Sequence, residues 1–324
     1  MSAQWSRLLP ALPSRPLLPP ADGAAYACPL PAISVLRVTG PDAIKFLQGQ
    51  VTTDMREVEK GRVLPGAICS LKGRVLFSFL VAAASPEDLR LLLPEDQLAD
   101  ALAHLKKYAV FSKVTLAVND DDAVLGLGNL KDARVAGLDL PAPGHSLQQG
   151  SLVLAGLEPG RCLLLHHGDG LPALLADLSL PLVDANAWQL AEVQAGRATI
   201  VAALRDRHQP QELNYPALEG VSYQKGCYTG QEVVARLYFR GRLKQRLYRL
   251  AASDSAPAPG TPIIAADGST VGEVVMAAAS GDGCELLAVV KNAAAASGAL
   301  TLDAGGPSLA VLDLPYGLDQ SKEE

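Results

Sequence analysis

Apolar and polar residues alternate from Ile33 to Val38, the two-residue period of a half-buried strand, and Gly40-Pro41-Asp42 then breaks the run. Proline suits the first turn of a helix, so a helix is expected next, with Ile44, Phe46, Leu47 and Val51 buried. Gln48, Gln50 and Asp54 are left facing elsewhere, and Gln48-Gly49-Gln50 is an unusual run inside a helix. Strands are predicted at Val75 to Ala82 and Leu89 to Leu93. Pro94-Glu95-Asp96 then opens a helix in which Leu98, Ala101, Leu102 and Leu105 recur at helical spacing, ending near Tyr108. Val114 to Val118 and Ala123 to Leu127 read as strands joined by a turn over Asn119 to Asp122.

Residues 137 to 160 are rich in Gly and Pro and are expected to connect strands; Arg161 to Leu165 is extended, and Pro181 to Ala203 mostly helical. After Arg240 the texture changes. Short extended pieces at Leu247 to Leu250, Val271 to Met276, Leu286 to Val290 and Leu309 to Leu312 are separated by Gly, Pro, Asp and Ser, the pattern of a small all-β domain, read as a barrel. The fold class is α+β with a C-terminal β-barrel. Three segments follow: a Pro-rich tail over 1–24, an α+β region over 25–240 and the barrel over 241–324.

Composition narrows the class. The chain has 324 residues, 49% apolar and 19% charged, which is globular and too large for one ordinary domain. Its five cysteines (Cys28, Cys69, Cys162, Cys227, Cys284) are odd in number and include no C-x-x-C pair, against a disulfide framework or a structural zinc site. Arg7, Arg15 and five prolines interrupt the first twenty residues, so no secretory signal is expected, and no uninterrupted apolar stretch is long enough to span a membrane. A reducing, cytoplasmic setting is expected.

Net charge is -6, yet residues 225 to 249 carry seven basic side chains (Lys225, Arg236, Arg240, Arg242, Lys244, Arg246, Arg249) against one acid, Glu232. Segregated positive charge in an acidic protein points to an anionic partner; a solvated arginine-rich strand is the alternative.

The densest candidate chemistry is Lys225-Gly226-Cys227-Tyr228-Thr229-Gly230-Gln231-Glu232-Val233-Val234-Ala235-Arg236. Thr229 and Glu232 have capping-box spacing, which places Cys227 just ahead of a helix start. Free amides, the positive end of the helix dipole and the Lys225 ammonium would favour thiolate there. The alternative is a small buried hydrophobe, the reading given to the other four cysteines. Other motifs fail: Gly126-Leu127-Gly128 lacks the third glycine of a dinucleotide fingerprint, no P-loop occurs, and His166-His167 has no partners at metal-ligand spacing.

The run Lys225 to Arg236 resembles the signature of the YgfZ family. Phe46 to Asp54 (FLQGQVTTD), Leu105 to Val114 (LKKYAVFSKV) and Asn214 to Tyr223 (NYPALEGVSY) agree with it in order, over roughly residues 33 to 324. That family is similar to the aminomethyltransferase, or T-protein, of the glycine cleavage system. The resemblance implies interleaved α+β domains around a central folate pocket, with the barrel beyond. It also implies tetrahydrofolate or a one-carbon derivative as cofactor, and iron-sulfur enzymes or their assembly proteins as partners. A role in tRNA modification follows from the same likeness. The residues themselves offer the basic segment 236–249 for either the folate glutamate tail or RNA phosphates, and its mixture with Tyr228, Tyr238, Phe239 and Tyr248 suggests, as a further alternative, direct tRNA binding without folate.

Residue by residue, Cys227 matches the family's required cysteine, and Gly226, Gly230, Gln231 and Glu232 match the motif around it. Lys225, Tyr228, Arg236 and, from the Gln48-Gly49-Gln50 run, Gln50 join these as ligand-contact candidates. Trp188 falls on an aromatic position linked to folate, where stacking on the ligand and core packing are both open. Ile33 stands where some relatives have tryptophan. Gln194 stands where T-proteins carry a glutamate that grips the pterin; its amide donates as well as accepts, so weaker binding or another pose is expected. At the T-protein's paired aspartates this chain has Phe77 and Ser78, so aminomethyl transfer lacks its acid or base there. A one-carbon enzyme using Asp54 or Glu232 instead is the alternative.

Overall fold

The computed structural model describes residues 5, 18–20, 22–118, 122–135, 137–168, 170–303 and 305–318. Most of the Pro-rich tail and residues 119–121 of the expected turn lie outside them. Trp5, within that tail, is nonetheless buried among Leu125, Leu127 and Leu164. The chain forms two compact units: Met1–Gly66 with Phe79–Trp188, and Ala67–Ser78 with Gln189–Glu324. The barrel therefore shares its unit with residues 189–240.

In the first unit the predicted alternation produces the strand Ile33–Thr39, antiparallel to Asp88–Pro94 on one side and Thr115–Val118 on the other. This register sets Arg37 opposite Arg90, a pairing of like charges that would cost stability alone. Asp88 resolves it, accepting from Arg37 at 2.8 and 2.7 Å and from Arg90. Burial pushes the Asp88 carboxyl up, but the two guanidiniums outweigh it and hold it below the usual range.

A second sheet has the order Tyr26–Pro29, Asp122–Gly128, Cys162–His167, Leu152–Gly156, Ser146–Gln149. Its three inner strands carry long apolar runs because both of their faces are covered, whereas the edge strand Ser146–Gln149 is polar and part-exposed. Val124, Leu163 and Leu165 enter one core with Trp188, while Leu125, Leu127 and Leu164 enter another with Leu171 and Leu178. Two of these strands fall in the 137–160 stretch expected only to connect.

The helix expected after Gly40-Pro41-Asp42 is two short ones, Ala43–Gln48 and Met55–Glu59, broken at Gly49. Gln50 and Asp54 thus lie outside the first helix, and Asp54 caps the second by accepting from Arg56 N at 3.1 Å. The helical stretch expected over Pro181 to Ala203 contracts to Ala185–Gln194, ended by Gly196 at φ +67°, plus a 3-10 turn at Ala202–Leu204.

The barrel closes in the order Gln245–Ala252, Gly283–Lys291, Thr270–Ser280, Pro262–Ala265, Leu300–Leu302, Ser308–Leu312. Along Gly283–Lys291 the side chains alternate between two cores. Leu286, Ala288 and Val290 pack inside the barrel, whereas Leu287 and Val289 pack on Leu190, Val193, Leu213 and Tyr215.

Candidate functional site

The Cys227 loop is built on a hairpin from far earlier in the chain. Ser70–Arg74 turns tightly, Gly73 taking φ +71°, and carries the helix Gln231–Arg240 against it. Gly230 is the residue that docks: it has φ +82°, and a Cβ there would collide with the carbonyl oxygen of Ser70. Asp206, itself at φ +58°, accepts from Ser70 Oγ at 2.7 Å and fixes the hairpin. On the other side Gln211 donates to Val234 O at 2.6 Å, and Tyr223 stacks on Tyr238 with ring centroids 3.7 Å apart.

This corrects the expected capping box. The helix starts at Gln231, its N-cap is Gly230 in the left-handed conformation, and no side chain caps it. Gly230 replaces Thr229 because the close approach to Ser70 excludes any Cβ. Cys227 consequently stands three residues before the N-cap, outside the first turn. Glu232 keeps a favourable place in that turn, exposed near the positive end of the dipole.

Between these anchors the loop projects. Gln224, Gly226 and Cys227 are exposed, while Lys225 and Tyr228 are each 7% exposed, the ammonium 5.1 Å from the Tyr228 ring centroid. The Tyr228 hydroxyl is buried without a hydrogen-bond partner, and burial pushes its ionisation up. Gly226 has neither positive φ nor any atom within 4 Å of where a Cβ would be. Neither packing nor backbone therefore demands glycine there, and the space beside Cys227 is open. The other cysteines match their reading as packing residues: all four are buried, and burial pushes Cys28, Cys69 and Cys162 up to about 12.

The candidate folate contacts divide between the units: Gln50 and Trp188 in the first, Gln194 and the Lys225–Arg236 group in the second. Trp188 is 4% exposed in its core, with Arg161 4.0 Å from the ring centroid. Gln194 donates to Glu285 Oε1 at 3.0 Å, and Arg249 holds the other oxygen of that carboxylate at 2.8 Å. Gln50 Oε1 is buried with no partner. Each unit thus holds a candidate contact with a buried polar atom that lacks a partner, Gln50 in the first and Tyr228 in the second, while Trp188 and Gln194 are already engaged. Gln231 is half-buried and Arg236 exposed.

The carboxylates of the enzyme alternative fare differently. Arg56 bonds Asp54 at 2.9 and 2.6 Å, and with the Arg56 amide and Gln48 it holds the Asp54 carboxyl down at about 2. Such a group stays ionised and is a poor general acid. Phe77 is buried with Arg205 5.0 Å from its ring, and Ser78 Oγ accepts from Ile200 N at 2.7 Å, so both positions serve the core. The residues that sequence reasoning missed are Ser70, Gly73 and Asp206. Their glycine-containing turn was visible, but not its contact 160 residues on.

No family model matches the chain. Among curated proteins it is 34% identical over 319 residues to the tRNA-modifying protein YgfZ of Yersinia pseudotuberculosis serotype O:1b (strain IP 31758), covering 92% of this chain and 96% of that one. It is 33% identical to the tRNA-modifying protein YgfZ of Sodalis glossinidius (strain morsitans), covering 89% and 92%. Among solved structures, the glycine cleavage system aminomethyltransferase T from Bartonella henselae superposes with a TM-score of 0.73 at 15% identity, covering 90% of this chain and 86% of that one. The fold is therefore that of the T-protein, as the resemblance implied. With its motif run carried on a projecting loop and this depth of similarity along nearly its whole length, the chain belongs to the YgfZ family.

Proposed function

We propose that this protein binds tetrahydrofolate or a one-carbon derivative and serves tRNA modification and the maturation or repair of iron-sulfur enzymes through Cys227, in the cytoplasm. The observation that carries the reading is the exposure of Cys227 on an anchored loop beside an open glycine, against four cysteines sealed in cores. A thiol that packs nothing and is held at a fixed height is suited to meet a partner. The tRNA-modifying name of relatives that match almost end to end supports the pathway. Folate supplies one-carbon chemistry when bound; this chain's contribution is to hold it, and the buried, unpartnered Gln50 Oε1 supports a polar contact of that kind. None of the described helices is long and apolar enough to cross a membrane.

The test replaces Cys227 with serine and measures the thiomethylation of tRNA and the activity of iron-sulfur enzymes in cells. Both are expected to fall toward the level of cells lacking the protein; undiminished levels with the variant folded remove the cysteine from the mechanism. For folate, Trp188 fluorescence is followed during titration with tetrahydrofolate in a Trp5→Phe background. A saturable change, weakened in Gln50→Ala, is expected, and a flat titration ends the folate reading.

A further inference from the structure

The basic run is not one surface. Arg246 is buried, Arg249 is spent on Glu285, and Lys225 is buried over Tyr228. What remains outward is Arg236 and Arg240 at the end of the helix and Arg242 and Lys244 in the link to the barrel. These four border two adjoining cavities within the second unit. A cavity of about 660 Å³ is lined by Arg242, Lys244 and Gln245, with Glu212 and, from the far end of a barrel strand, Lys291. One of about 310 Å³ is lined by Arg236 and Arg240, and the two cavities share Gln209 and Leu237 as walls. Lys291 arrives because the barrel register pairs it with Gln245.

We propose that this double groove binds the phosphodiester backbone of RNA. Five cations face one carboxylate, Glu212, and that carboxylate already accepts from Gln209 N at 2.8 Å and Gln245 Nε2 at 2.9 Å. The helix C-terminus opposes an anion with about half a charge, too little to cancel the surplus. Arg236, Arg240 and Arg242 make no side-chain hydrogen bond or ion pair among the described residues, so their guanidiniums are available for bidentate contact with phosphate oxygens. Cations spread over two linked cavities suit a chain of phosphates rather than one.

Aromatic surface favours RNA over an acidic peptide. Phe239, next to Arg240, is 67% exposed, and it meets Tyr238 edge-on with ring centroids 4.9 Å apart; Tyr238 in turn is stacked on Tyr223. A supported, exposed ring beside backbone-binding cations is the arrangement on which an unpaired base stacks. The inference rests on the reading above only in taking RNA as the relevant anion; it does not require folate.

The experiment measures fluorescence anisotropy of a labelled, unmodified tRNA transcript with the full chain between roughly 50 and 200 mM KCl, where phosphate contacts make affinity fall steeply with salt. Neutralising about four phosphates gives a log-log slope near -3 to -4. Arg240→Glu with Lys291→Glu is expected to weaken binding at least tenfold and flatten the slope by about 2. Arg240→Gln with Lys291→Gln should do so less, Phe239→Ala should weaken single-stranded RNA more than duplex, and Lys45→Glu should change nothing. Wild-type protein that fails to bind at the lowest salt, or groove variants with unaltered melting that bind like wild type, overturn the groove. So does poly-L-glutamate competing as well as RNA at equal charge, which would indicate an acidic peptide. Tetrahydrofolate titration of the same proteins separates the two readings: a flat folate curve with intact RNA binding counts against folate alone.

Discussion

Two regions of this protein are assembled from the same ingredients and finish as opposites. Around Trp188 lie a cysteine, Cys28, a glycine, Gly126, and a cation, Arg161, stacked on the ring; around Tyr228 lie Cys227, Gly226 and Lys225, again over the ring. In the first the glycine is forced, because a Cβ at Gly126 would collide with the indole, and the Cys28 thiol donates to Asp184 O at 2.9 Å. In the second the glycine touches nothing and the thiol is exposed. Residue type alone does not make a site. What differs is that one set lies between packed strands, while the other hangs from a glycine docked on a distant hairpin.

The contrast can be broken most sharply at the thiols. In native protein one cysteine is expected to react with a thiol reagent, and the four buried ones should lag by a factor of about 10³ or more, since they must await local or global opening. Two fast thiols, or a Cys227→Ser protein that keeps the fast phase, would erase the distinction. Next in size is the glycine pair. Gly126→Ala should cost about 3 kcal/mol in denaturant unfolding, as the indole has nowhere to move in a packed core. Gly226→Ala should stay within about 0.5 kcal/mol. Equal costs would mean that the loop is packed after all.

The smallest expected difference between two proteins concerns the cap that Asp54 places on Met55–Glu59. Its carboxyl sits below the unfolded value, so its stabilisation is complete above about pH 4 and is lost as pH falls toward about 2. Asp54→Asn should therefore be less stable than wild type at pH 7 by about 1 kcal/mol, the gap closing on acidification through that window. A gap that is constant with pH would assign the cost to packing instead.

Local chemistry made much of the fold legible. The alternation at Ile33–Thr39, the helical repeat through Leu98–Tyr108 and the short barrel strands after Arg240 are all visible because their partners reinforce a pattern already in the chain. Ser146–Gln149 and Leu152–Gly156 were hidden among Gly and Pro, since their reason to extend is pairing with Cys162–His167 and its neighbours. Pro262–Ala265 and Leu300–Leu302 are too short to announce themselves; barrel closure makes them strands. At the site, the motif was readable and the cap was not. Thr229 and Glu232 obey a local rule, but the contact that starts the helix comes from Ser70, which no local rule reaches. The basic run divided for a similar reason, because barrel alternation turned Arg246 inward and gave Arg249 to Glu285.

The hairpin Ala67–Ser78 has a consequence for how the chain is handled and inherited. It leaves the first unit in mid-strand, contributes Ala67, Cys69 and Val75 to a core completed by residues more than a hundred positions later, and returns. Neither unit is a contiguous stretch, so no single scission liberates either of them. A fragment stopped at Trp188 would carry three apolar side chains whose intended neighbours had been discarded, inviting aggregation at a place far from the cut.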